Sequence, residues 1–157
     1  MTEIKVFEYC ETGKKGHLKK AREMLENLGA ENISYLPNGK PVAENLFVSI
    51  SHSSGKCAVC VSEREIGIDI EKITDRDFEK IVRKTFGEKE REYYFKNKTP
   101  QAFYEIWTRK EAYSKISGEG IREIMRATDT FSIDGYEFKT QTVDGFVLTT
   151  CEKKNTD

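Results

Sequence analysis

Residues 66–72 read Ile66-Gly67-Ile68-Asp69-Ile70-Glu71-Lys72, and their strict alternation predicts a strand with two chemically different faces. Ile66, Ile68 and Ile70 fall on one side, and Gly67, Asp69 and Glu71 on the other. A hard divalent cation such as Mg²⁺ is commonly held by one or two carboxylates together with water and phosphate oxygens, and a rigid strand presenting Asp69 beside Glu71 is suited to that. Gly67 on the same face would let a ligand approach the backbone. The solvated outer face of an ordinary antiparallel strand would show the same pattern.

The sequence before this strand predicts β-structure over 3–10, a helix with apolar positions Leu18, Ala21, Met24, Leu25 and Leu28 ended by Gly29, and a short strand at 33–36. The turn signal Asn38-Gly39 follows, then strands over 46–51 and 56–62. After residue 72 come helical segments over 75–86 and 88–97. A longer helix opens at Thr99-Pro100, a good N-cap and first helical residue, and runs to about Ser117, with Gly118 and Gly120 beyond it. Strands over 130–133, 136–143 and 146–151 close the chain, the last two joined by Asp144-Gly145. This order predicts an α+β fold of two halves, 1–73 and 74–157, packed as one unit.

Composition narrows the class. The 157 residues carry 26 basic and 27 acidic side chains, for a formal charge of −1, which argues against a dedicated nucleic-acid binder. Nine Phe, seven Tyr and one Trp argue against wholesale disorder. No stretch approaches the length of a membrane span, and the charged start MTEIKVFEYCETGKK lacks a signal peptide's apolar segment, so the expected location is the cytoplasm. Cys57 and Cys60 form a CxxC, but on a strand they point to opposite faces and no second pair completes a zinc site. They read as buried thiols.

The helix FYEIWTRKEAYSK (103–115) adds to the carboxylates. Trp107, Glu111 and Lys115 are spaced i, i+4, i+8 and share one side, with Lys110 adjacent. A surface ion pair explains Glu111 and Lys115; so does a third carboxylate, or base, beside a cation for phosphate oxygens. In FVSISHSSGK, Ser51 and His52 sit at a strand end. A Ser-His-Asp hydrolase is disfavoured because adjacent strand residues do not face each other and no GxSxG elbow is present.

Taken together, GKP (39–41), FVSISHS (47–53), IGIDIEK (66–72) and WTRKEAYSK (107–115) resemble the 4′-phosphopantetheinyl transferases, specifically the type that activates surfactin synthetase. The resemblance runs over roughly residues 37–121 and includes GEGI at Gly118–Ile121. It implies two similar α+β halves related by pseudo-two-fold symmetry, a monomer with the site between them. It also implies transfer of phosphopantetheine from coenzyme A to a serine of an apo acyl or peptidyl carrier protein, releasing 3′,5′-ADP. By the same resemblance Asp69, Glu71 and Glu111 would bind Mg²⁺, with Mn²⁺ as a substitute, and Glu111 would be the base. Lys115 would hold the pyrophosphate; Ser51 and His52 would contact coenzyme A phosphate, chiefly the 3′-phosphate; Lys40 and Lys110 would lie beside the nucleotide and its phosphates. Larger members of the type hold the 3′-phosphate with basic residues ahead of the first helix, a segment that is short here. The basic Lys14, Lys15, His17, Lys19, Lys20 and Arg22 of the first helix are available instead.

For the carrier protein, residues 72–98 hold a mild surplus of basic side chains and the aromatic run Tyr93-Tyr94-Phe95, of which one member is expected to be core. Two rival functions use the same residues: a module that binds coenzyme A or a carrier protein without transfer, and a metal-dependent phosphohydrolase using Asp69 and Glu71.

Overall fold

In the computed structural model of the chain, which describes residues 1–10, 15–117 and 128–156, strand β1 (Glu3–Glu8) leads to helix α1 (Gly16–Asn27). The small pair β2 (Ser34–Tyr35) and β3 (Pro41–Val42) and the hairpin β4 (Phe47–Ser53) and β5 (Lys56–Ser62) follow. A second run comprises β6 (Ile66–Lys72), α2 (Glu79–Thr85), α3 (Glu88–Asn97), α4 (Pro100–Ser117) and the hairpin β7 (Tyr136–Val143) and β8 (Phe146–Lys153).

Both hairpins close on two-residue turns with positive φ at each position: Ser54 and Gly55 at 44° and 82°, Asp144 and Gly145 at 49° and 77°. That backbone twist matches the twist of the flanking strands. Each hairpin joins the strand that precedes its helix, giving antiparallel sheets of order β1-β5-β4 and β6-β8-β7. The same topology therefore occurs twice, strand, helix, then hairpin, with the hairpin's second strand central.

The first sheet ends at Ser62 and the second begins at Ile66, so Asp69 and Glu71 belong to the second sheet, opposite Thr149 and Val147 of β8. Strand β6 finds its partner strand late in the chain, after three helices. One expectation is corrected: residues 130–133 are not a strand, because Phe131 N–H and Ser132 N–H bond to the Asp129 side chain and carbonyl at 3.0 Å each, and the chain turns there.

Strand β6 is covered on both faces. Ile66, Ile68 and Ile70 pack with Ala58 and Cys60 of β5 and with Phe146 and Leu148 of β8. The opposite face lies under α4. As expected, Cys57 and Cys60 point opposite ways, Cys57 into the α1 core and Cys60 toward β6, and burial pushes both thiols up to about 12.

The two sheets meet at a seam of hydroxyls. One edge of β6 pairs with β8; along the other, the N–H groups of Ile68, Ile70 and Lys72 donate to Ser49, Ser51 and Ser53 at 3.1, 3.1 and 3.2 Å. Alternate residues of β6 thus meet alternate serines of β4, which satisfies backbone donors that a buried strand edge would otherwise leave unpaired. Helix α4 begins as the sequence predicts, with Ala102 N–H on Thr99 Oγ1 at 3.1 Å. The basic Lys14 and the GEGI segment lie outside the described residues. Among the described residues no helix is long and apolar enough to cross a membrane.

Candidate active site

Gly67 determines how close α4 comes. An ideal Cβ at this position would stand 2.0 Å from the carbonyl oxygen of Ala112 and 3.2 Å from the Lys115 Cβ. The expectation that Gly67 admits a ligand is therefore corrected: what approaches its backbone is the backbone of α4. Only glycine permits that contact here, and the contact brings Glu111 and Lys115 down onto the carboxylate face of β6.

The result is a cluster of opposite charges. Lys115 Nζ lies 3.6 Å from Asp69 Oδ1 and donates to the carbonyls of Ile50, at 3.2 Å, and Ile68, so one ammonium bridges β4 and β6. Asp69 is 4% exposed, and burial, followed by the nearby charges of Glu71 and Glu111, pushes its carboxyl up to about 8 against the pull of Lys115 and Ser51. The Glu71 carboxyl is raised by burial and by Glu111; the Glu111 carboxyl is raised by burial, with Lys115 opposing.

The structure moves several expected residues to other tasks. Ser51 is buried, accepts the Ile70 N–H and donates to Asp69 Oδ1 at 2.9 Å, so its hydroxyl faces the seam. Lys110 is corrected more strongly. It is fully buried, with Nζ 2.7 Å from Glu90 Oε1 and on the Thr128 carbonyl, and no part of it reaches solvent. Glu90 in turn accepts from Gly87 N–H, Thr130 N–H and the Thr130 hydroxyl, which completes the coordination that a buried ion pair requires. Lys110 ties α3 and residues 128–130 to α4 and is not available to a nucleotide.

His52 remains exposed at the end of β4. Its ring stacks on His17 at 3.8 Å between centroids, and its Nδ1 is 3.1 Å from the Tyr9 hydroxyl. These are the only two histidines in the chain, brought together from α1 and β4. The His17 pKa is lowered by burial and then by His52. Lys15 at the N-cap of the same helix and Lys19, Lys20 and Arg22 along it are exposed, Lys20 bonded to the Glu8 carbonyl at 3.0 Å and Arg22 to Glu26 at 3.0 Å. Lys40 is half-buried on a cavity of about 410 Å³ whose lining includes Leu46, Phe47, Glu65 and Ile116. Of the aromatic run, Tyr94 is core, while Tyr93 and Phe95 are half-buried; Arg83 and Lys98 lie over the Phe95 ring at 4.8 and 5.9 Å.

The donor chemistry suits a hard cation. Asp69 Oδ2 is buried with no hydrogen-bond partner among the described residues, while Oδ1 is occupied by Ser51 and Lys115. A buried carboxylate oxygen in that condition, flanked by two further carboxylates, lacks a positive partner. Among the described residues no three acidic, histidine or cysteine side chains are already gathered at metal-binding distance. Asp69, Glu71 and Glu111 are close enough that Glu71 and Glu111 raise the Asp69 carboxyl and Glu111 raises that of Glu71, but they form no ready-made cage.

A sequence profile described as the 4′-phosphopantetheinyl transferase superfamily matches residues 65–155, which begins beside β6 and covers the second topological unit entire. The chain belongs to this superfamily. It is 36% identical to the 4′-phosphopantetheinyl transferase gsp of Aneurinibacillus migulanus, over 60% of this chain and 42% of that protein. It is 31% identical to the 4′-phosphopantetheinyl transferase HetI of a Nostoc species, over 61% of this chain and 45% of that one. With psf-1 of Bacillus pumilus, also a 4′-phosphopantetheinyl transferase, it shares 31% identity over 54% of this chain and 38% of the relative. The chain spans less than half the length of these curated relatives.

Proposed function

We propose that this protein transfers the 4′-phosphopantetheine group of coenzyme A to a serine of an apo acyl or peptidyl carrier protein, with Mg²⁺ held by Asp69, Glu71 and Glu111. The observation that carries the reading is the buried, unpartnered Asp69 Oδ2 beside two more carboxylates and a lysine, in a chain of this superfamily. When bound, the cation would neutralise pyrophosphate charge and polarise the phosphorus under attack.

The chain's own groups do the rest. Glu111, whose carboxyl is raised by burial, accepts the proton of the carrier serine, directly or through water. The serine oxygen forms its bond to the phosphorus bearing the pantetheine arm as the anhydride oxygen bond breaks, and 3′,5′-ADP leaves with that oxygen. Lys115 offsets the charge gathering on the departing 5′-phosphate of 3′,5′-ADP. Lys40 borders the nucleotide and His52 receives the 3′-phosphate, with His17 stacked beside it and the exposed lysines of α1 as cationic neighbours. Arg83 and Lys98, which share Glu79 at 3.9 and 3.7 Å, flank Phe95 on the surface offered to the acidic carrier.

The experiment is to weigh an apo-carrier protein after incubation with the chain, coenzyme A and Mg²⁺. Addition of one phosphopantetheine group supports transfer. No addition across fatty-acid, polyketide and peptide carriers removes the reading, and cleavage of coenzyme A without any carrier favours the phosphohydrolase.

A further inference from the structure

Ser51 touches both the seam and the candidate site. Its hydroxyl can donate one hydrogen and accept others, and both capacities are in use: it accepts the Ile70 N–H at 3.1 Å and donates to Asp69 Oδ1 at 2.9 Å. Ser49, two residues earlier on β4, accepts the Ile68 N–H at 3.1 Å. The third serine, Ser53, accepts the Lys72 N–H at 3.2 Å and lies 3.5 Å from Glu71 Oε2. The first topological unit therefore reaches into the second through a ladder whose rungs hold the backbone of β6 and, at Ser51, a carboxylate.

The consequence is specific to one oxygen. Oδ1 of Asp69 has two polar partners, Ser51 Oγ and Lys115 Nζ, and Oδ2 has no hydrogen-bond partner among the described residues although it is shielded from solvent. A carboxylate held by one oxygen presents the other in a fixed direction. We infer that Ser51 is a positioning residue for the cation site: by fixing Asp69 Oδ1 from the neighbouring sheet, it aims Oδ2 at the divalent ion. This rests on the transferase reading above, in which Asp69 is a ligand, and it gives the hydroxyl a task other than contact with coenzyme A. It also assigns the first unit a part in metal binding although every expected ligand lies in the second.

Ser49 provides the control, because it makes a seam bond to β6 without reaching Asp69. The test is Mn²⁺ affinity, by electron paramagnetic resonance titration of the whole chain without coenzyme A, alongside thermal melting with chelator. Ser51→Ala and Ser49→Ala should lower the melting temperature comparably, since each loses one backbone acceptor. Ser51→Ala should weaken Mn²⁺ binding about tenfold, as loss of an outer hydrogen bond to a metal ligand does. Ser49→Ala should stay within about twofold of the parent, and Ser51→Thr, which restores a hydroxyl, should recover most of the affinity. Equal Mn²⁺ affinity in Ser51→Ala and the parent, or equal weakening in both alanine variants, would overturn the role of Ser51 while leaving the transferase reading intact. A parent protein that binds no Mn²⁺ would overturn the cation site itself and this role with it.

Discussion

Gly67 and Ala112 meet backbone to backbone, so closely that a Cβ on residue 67 would stand 2.0 Å from the Ala112 carbonyl oxygen. Through this contact the second carboxylate-bearing element, α4, is seated on the first. Gly67→Ala is expected to lift α4 from β6, costing about 1–3 kcal/mol of stability, as forced overpacking does. Mn²⁺ affinity should fall with it, because Glu111 and Lys115 ride on that helix. Urea unfolding and metal titration check this; a variant as stable as the parent would show that the helix contact is not what the glycine serves.

Lys110 and Glu90 form a fully buried ion pair, and removing one partner leaves an uncompensated charge. Lys110→Met is expected to cost about 3–5 kcal/mol in equilibrium unfolding. The fraction that remains folded should bind coenzyme A about as tightly as the parent. Unchanged stability with clearly weakened coenzyme A binding would return Lys110 to the nucleotide site.

The pH dependence of folding has a definite sign. Asp69 is pushed up to about 8 from an ordinary 3.8, so between those values the folded state holds a proton that the unfolded chain has lost. Its contribution to stability is full below the ordinary value and disappears as pH rises through about 8. A divalent cation requires the ionised carboxylate and reverses the trend. The rise in melting temperature on replacing chelator with Mg²⁺ should accordingly be larger near about pH 8 than near about pH 5, and a rise that is equal or larger at the lower pH contradicts the cation site.

Glu111→Gln keeps the length and helix propensity of the side chain. Transfer should be lost while far-ultraviolet circular dichroism and melting temperature stay close to those of the parent. Near-normal turnover would remove Glu111 as both ligand and base.

Which features could be read from the sequence depends on the range over which each is set. Turns and helix starts are local, and Asp144-Gly145 and Thr99-Pro100 are where their residue chemistry places them. The alternation of 66–72 likewise predicted both faces of β6. Its non-polar face was correctly a core face, and its polar face is buried too, because α4 and not solvent covers it. The errors are tertiary. Lys110 carries no local mark of burial, since its partner Glu90 lies one helix earlier. Ser51 looks like a loop hydroxyl until β4 is laid beside the open edge of β6. The period-two run Ser49, Ser51, Ser53 was visible, and serines repeating on one face of a strand are a signal for an edge that needs acceptors. The stacking of His17 on His52 was not visible, because α1 and β4 are brought together only by the first sheet.

The central claim is group transfer at the Asp69, Glu71, Glu111 and Lys115 cluster, and the most direct measurement is its stoichiometry. Released 3′,5′-ADP and modified carrier protein should be counted together in one reaction containing coenzyme A and Mg²⁺. The account predicts equal amounts of the two, neither formed when the carrier's acceptor serine is replaced by alanine or when Asp69→Asn or Glu111→Gln replaces the parent enzyme. Release of 3′,5′-ADP that continues undiminished without an acceptor serine would contradict it.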